Sequence, residues 1–68
     1  MQVVVNGRTE DVDEGSTVAD VVRRFRLAPS QVAVEVNAEL VPRARYGERV
    51  LAAGDRIEIV TFVGGGSA

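Results

Sequence analysis

The chain contains no cysteine, histidine or tryptophan, and all eight of its basic residues are arginine. Without a thiol or an imidazole it cannot form a disulfide or a soft-metal site, and it has no cysteine nucleophile or histidine acid–base catalyst of its own. The missing cysteines leave the redox compartment open, because a cysteine-free chain is compatible with any of them. There is no long hydrophobic run. Met1 to Asn6 has neither the basic flank nor the apolar length of a signal peptide, and no segment approaches the roughly 20 apolar residues of a membrane span, so a cytoplasmic protein with no membrane partner is expected. Aromatics are scarce, at two Phe and one Tyr, and the formal charge is −2 with a pI near 4.9. A nucleic-acid surface needs clustered positive charge and stacking platforms, and this composition argues against both.

The 68 residues suffice for one domain, close to the smallest size at which a hydrophobic core alone holds a fold. Gln2 to Asn6 alternates, with Val3 and Val5 on one face and Gln2, Val4 and Asn6 on the other, which predicts a half-buried strand. Asn6-Gly7 is the signature of a type I′ hairpin, so Arg8 to Asp13 is the returning edge strand, with Val12 turned inward. Thr17 and Asp20 form a capping box ahead of a helix. Val18, Val21, Val22 and Phe25 make its apolar stripe, with Asp20 near Arg24 and Pro29 ending the run. Gln31 to Asn37 alternates again, with Val32, Val34 and Val36 facing inward. Leu40-Val41 begins a short edge strand that Pro42 stops, and Tyr46-Gly47 marks a short helical turn. Gly54-Asp55 turns into a last strand with Ile57 and Ile59 inside and Glu58, Val60 and Phe62 outside.

Two hairpin strands, a helix and returning strands imply an α+β domain with one sheet and one helix on its inner face. The last strand needs the same helix stripe as Val3 and Val5, which places it beside the first. Residues 1–63 read as this domain and residues 64–68 as a flexible tail. No pair of carboxylates stands out as catalytic, since Asp11, Asp13 and Glu14 fit polar hairpin and turn positions, and no metal-ligand spacing is present. The tail, Gly64-Gly65-Gly66-Ser67-Ala68, fits a linker remnant or frayed end. It also fits a terminus that threads a narrow active site, because glycine has no side chain to obstruct passage.

Gln2-Val3-Val4-Val5-Asn6-Gly7, Ser16-Thr17-Val18-Ala19-Asp20-Val21-Val22, Val34-Glu35-Val36-Asn37 leading to Leu40-Val41-Pro42-Arg43, and Gly54-Asp55-Arg56-Ile57-Glu58-Ile59 before the glycines together resemble the ThiS family, sulfur carriers of thiamine biosynthesis. The resemblance covers essentially the whole chain and implies a ubiquitin-like β-grasp with a mixed four- to five-stranded sheet. It also implies a carrier rather than an enzyme. In the family an E1-like ThiF partner uses ATP to adenylate the terminal glycine carboxylate, a persulfide-bearing donor converts it to a thiocarboxylate, and thiazole synthase (ThiG-like) takes the sulfur. The chain itself would bind no cofactor. On this resemblance Gly66 is the sulfur-carrying terminus, with Gly64 and Gly65 threading into the partner. Ser67 and Ala68 depart from the pattern, since they leave the Gly66 carbonyl as an amide. Trimming by a maturation protease, a cloning remnant and an inactive carrier are the three readings of that departure.

Val4, Val60 and Phe62 are expected to form a small apolar patch beside the tail, suited to partner docking, although packing against a terminal segment would also explain it. Arg43 reads as a solvated edge charge more readily than as a contact. The absence of lysine fits compositional bias, and would also spare an activated terminus from attack by the chain's own amines. A molybdopterin-synthase small subunit or a carrier for cysteine synthesis would share the fold and the diglycine. A TGS-like nucleotide- or RNA-binding β-grasp module would share the fold alone.

Overall fold

A computed structural model describes residues 1–62. Five strands, β1 (Gln2–Val5), β2 (Arg8–Asp11), β3 (Val32–Val36), β4 (Glu39–Val41) and β5 (Arg56–Thr61), form one sheet in the order β2-β1-β5-β3-β4. The helix α1 (Val18–Arg24) packs on one face. This is the β-grasp expected from the sequence. The last strand does lie beside the first: β1 and β5 run parallel, with Val4 opposite Arg56 and Val5 opposite Ile57, while β3 pairs antiparallel along the whole of β5. The edges β2 and β4 are short, and β2 is polar throughout, which limits edge-to-edge association there.

Ten of the fourteen buried core residues are valine, and Tyr46, Leu51, Ile57 and Ile59 complete the set. Valine suits a pleated sheet but is a mediocre helix former, because its branched Cβ restricts χ1 against the preceding turn. A seven-residue helix carrying Val18, Val21 and Val22 therefore depends on tertiary packing and on its ends. At the N-terminus, Asp20 N–H donates to Thr17 Oγ1 at 3.2 Å and Thr17 N–H donates to Asp20 Oδ2 at 2.9 Å, closing the expected capping box. The remaining first-turn donors are taken by the segment after β4. Val18 N–H reaches Arg49 O at 3.0 Å and Ala19 N–H reaches Tyr46 O at 2.9 Å.

That segment differs from its sequence reading. The helical turn is a 3-10 turn at Arg43–Arg45, one residue ahead of the expected Tyr46-Gly47, and Tyr46 itself is buried. Its side chain belongs to the core cluster, and its hydroxyl donates to Val32 O at 3.4 Å. Leu51 is also core, and its N–H donates to Ser16 O at 2.8 Å.

The helix ends earlier than its apolar stripe implies. Arg26 takes a left-handed φ of 59°, Arg26 N–H donates to Arg23 O at 2.9 Å, and Leu27 N–H donates to Val22 O at 3.1 Å. This pair of bonds is a Schellman stop, usually built on glycine. Phe25, expected in the stripe, thus falls at the helix cap and stays 38% exposed. Asp20 pairs with Arg23 at 2.6 Å rather than with Arg24. Arg24 instead reaches across to β2, donating to Asp11 O at 2.6 Å and standing 3.7 Å from Glu10. The strand β2 closes at Asp11, short of the expected Asp13, and β3 begins at Val32 because Gln31 belongs to a 3-10 turn at Pro29–Gln31.

Of the four non-glycine residues in left-handed backbone among the described residues, two that are not asparagine mark places where the fold is not at its stability optimum. Arg26 (φ 59°) and Ala38 (φ 70°) each carry a Cβ where glycine would carry none. Arg26→Gly and Ala38→Gly are each expected to raise unfolding free energy by up to about 1 kcal/mol in urea titration, whereas Arg26→Ala gains nothing.

The capping box adds a pH-dependent contribution. The Thr17 backbone N–H, and secondarily Arg23, hold the Asp20 carboxyl below its ordinary value of 3.8. A depressed folded value means the stabilisation is complete above that ordinary value and is lost as pH falls through the lower, folded one. The stability advantage of the wild type over Asp20→Asn, measured by thermal unfolding, should therefore be larger at pH 7 than at pH 3. Thr17→Ala, which removes one capping bond, should cost about 1 kcal/mol at pH 7.

Candidate functional site

The strand β5 delivers the chain to the glycine tail, so its anchoring defines the site. At its start, Asn37 N–H donates to Arg56 O at 2.8 Å and Asn37 Oδ1 accepts from Arg56 N–H at 3.0 Å. Asn37 Nδ2 also donates to Asp55 Oδ1 at 3.0 Å, and Asp55 Oδ2 accepts Ala52 N–H at 2.8 Å. From sequence, Asn37 is the end of one strand and Asp55 belongs to a separate turn. The fold joins them into one lock, which only the pairing of β3 with β5 could reveal.

At the other end, Phe62 N–H donates to Gln31 O at 2.9 Å, so the register with β3 extends through Phe62. Gly64, Gly65 and Gly66, expected as the threading and carrier residues, lie outside the described residues, as do Ser67 and Ala68.

The face of the sheet opposite α1 is uncovered. Val60 and Phe62 project from it side by side on β5, 60% and 51% exposed. Ala33 on β3 lies opposite Val60. Val4 shares this face but not this patch: it is half-buried and in register with Arg56, four residues before Val60, or about 13 Å along the strand at 3.3 Å per residue. Leu40 adds to this face, an outward position that a three-residue strand is too short to show by alternation. Its register opposite Glu35 puts it on the same open face, 67% exposed. Between Leu40 and β5, Glu35 and Glu58 stand directly opposite one another, an arrangement of like charges that weakens strand pairing. Arg43 donates from Nε to Pro29 O at 3.0 Å, tying the corner after β4 to the turn before β3.

Among the described residues no group of His, Cys, Asp or Glu is placed to hold a metal ion, and none of the buried residues is polar or charged. No helix among them is long and apolar enough to cross a membrane. The open face thus presents Val60, Phe62 and Leu40 together with the Glu35–Glu58 pair.

Comparison with known proteins agrees with this architecture. The model of the ThiS family matches residues 2–66. A thiazole synthase of Magnetococcus marinus is 39% identical over 66 residues, which is 97% of this chain and 20% of that protein. The chain thus spans about a fifth of the length of the first curated relatives it matches. The sulfur carrier protein ThiS of Bacillus subtilis is 44% identical over 50 residues, covering 74% of this chain and 76% of its own. A crystal structure of the thiamine biosynthesis protein ThiS from Geobacter metallireducens superposes with a TM-score of 0.80 at 31% identity, covering 96% of this chain and 99% of the other. With the family match running from the first residue of β1 into the glycines, the chain belongs to the ThiS family.

Proposed function

We propose that this chain is a sulfur carrier for thiazole formation in thiamine biosynthesis, with the Gly66 carboxyl as the group that carries sulfur. The observation that carries the reading is the extent of the family match, which ends at Gly66, four residues beyond the last residue held by the sheet. The composition supports it. A chain without cysteine has no side chain suited to holding a transferable sulfur, so the load falls on the backbone carboxyl.

The chemistry follows from what a carboxylate lacks. It is a poor electrophile until one oxygen becomes part of a good leaving group. A ThiF-like enzyme using ATP supplies this by joining the Gly66 carboxylate to AMP and releasing pyrophosphate. Water must be kept from the mixed anhydride, which a narrow channel admitting only Gly64 and Gly65 accomplishes. The terminal sulfur of a persulfide donor then displaces AMP, and a second thiol cleaves the acyl disulfide to leave the thiocarboxylate. Thiazole synthase is the proposed acceptor, a partner suggested by relatives of that name that contain a segment like this chain. In this scheme the chain is a co-substrate and not a catalyst, and ATP is bound by the partner.

Docking falls to the uncovered sheet face. Val60 and Phe62 are its apolar centre beside the strand exit, with Val4 a more distant contact on the same face. A partner that grips this patch holds the terminus at high effective concentration near its active site. Because Ser67 and Ala68 turn the Gly66 carbonyl into an amide, activation requires their removal, by a maturation protease in this reading.

The chain ending at Gly66, incubated with ATP and the ThiF-like protein of its own genome, should release pyrophosphate and gain the mass of an acyl-adenylate. The chain with Ser67 and Ala68 should do neither. Adenylation of the longer chain at the same rate would remove Gly66 as the carrier.

Phe62→Asp should raise KM for adenylation at least tenfold while thermal unfolding changes little, because Phe62 lies outside the core. Loss of the fold would instead assign Phe62 to the core.

A further inference from the structure

The strand β1 supports β5 over only two residues, Arg56 and Ile57, before the chain turns away at Asn6-Gly7. From Glu58 onward β5 has a neighbouring strand on the β3 side alone. At this point the side chain of Asn6 continues the ladder that its backbone leaves. Asn6 N–H donates to Ile57 O at 2.9 Å as the last main-chain rung. Asn6 Oδ1 then accepts Ile59 N–H at 2.7 Å, and Asn6 Nδ2 donates to Ile59 O at 3.1 Å. A primary amide presents one acceptor and donors in the same plane as a peptide group, so it can pair both backbone groups of one residue. Asn6 makes that pair across 53 positions of sequence, from a left-handed turn position with φ 49°.

We infer that Asn6 is a positioning residue for the carrier terminus, an inference that rests on the carrier reading above. Its amide fixes β5 at Ile59, three residues before Phe62 and seven before Gly66. Without it, β5 beyond Ile57 has no partner on its β1 side, and the strand end can swing about its β3 edge. The wider arc of the strand end adds misalignment at the reacting carboxyl. The docking face still engages, since β3 keeps Val60 in register. The loss therefore falls on turnover after docking rather than on docking itself.

Asn6→Gly isolates the amide, because glycine accepts the left-handed turn without strain. Asn6→Asp keeps the turn and the acceptor for Ile59 N–H but loses the donor and sets a carboxylate against Ile59 O. The measurements are amide exchange by NMR and steady-state pyrophosphate release, using chains ending at Gly66 with the ThiF-like enzyme. In Asn6→Gly, exchange at Val36 and Val22 should stay native-like, exchange at Ile59 should quicken at least tenfold, kcat should fall at least threefold, and KM should remain within twofold. Asn6→Asp should lie between Asn6→Gly and wild type in both exchange and kcat, and it decides the matter should Asn6→Gly fail to fold. Faster exchange at Ile59 with unchanged kcat would overturn the inference and leave Asn6 a purely structural bond, as would a change confined to KM. Failure of the wild-type chain to be adenylated would overturn the carrier reading itself, and this inference with it.

Discussion

The fold depends on β5 being paired on both sides. It is the last strand made, yet it sits in the middle of the sheet, parallel to β1 and antiparallel to β3. Until it inserts, Val3 and Val5 on one half of the sheet and Val34 and Val36 on the other have no continuous surface to share. Ile57 and Ile59 supply that surface, and both are buried against the helix cluster. The same insertion determines where the chain leaves the domain. The strand is held on both sides near its start and by β3 through Phe62, so its last described residue is fixed at one edge of the sheet.

The helix is the weaker partner in this arrangement and is stabilised by its surroundings. Seven residues make two turns, too few to persist alone, and three of them are valine. Its first-turn donors are satisfied by Thr17, Tyr46 O and Arg49 O, and its stop is formed by Arg26 and Leu27. The segment from Arg43 to Leu51 thus does more than connect β4 to β5. It delivers two carbonyls to the helix start and two side chains, Tyr46 and Leu51, to the core.

What the sequence made legible follows from which signals are local. The alternation of Val32, Val34 and Val36, the Asn6-Gly7 turn and the Thr17 to Asp20 box each lie within a few residues, and each formed as expected. Phe25 misled because the helical period continues through it, whereas the stop depends on Arg26 adopting a left-handed backbone that glycine would have announced. Tyr46 and Leu51 were silent because their segment has no period, and their burial is set by distant elements. On the open face, the alternation of β5 correctly put Val60 and Phe62 outside. It could not say that Val4, with the same outward phase, sits four residues away along the strand, because that offset belongs to the β1–β5 register.

The two asparagines extend this point to the site. Asn6 and Asn37 both occupy left-handed turn positions, at φ 49° and 52°, and turn chemistry alone accounts for their presence. Each also uses its amide on the backbone of β5, at Ile59 and at Arg56. One residue type thereby meets two demands: it relieves the tight turn, and it pairs strand groups that no neighbouring strand reaches. The pairings at either end keep β5 from fraying where it enters the sheet and where it leaves. Under the proposed carrier role, accuracy in presenting the terminus is what the fold would contribute, and these amides act on the strand that leads to it.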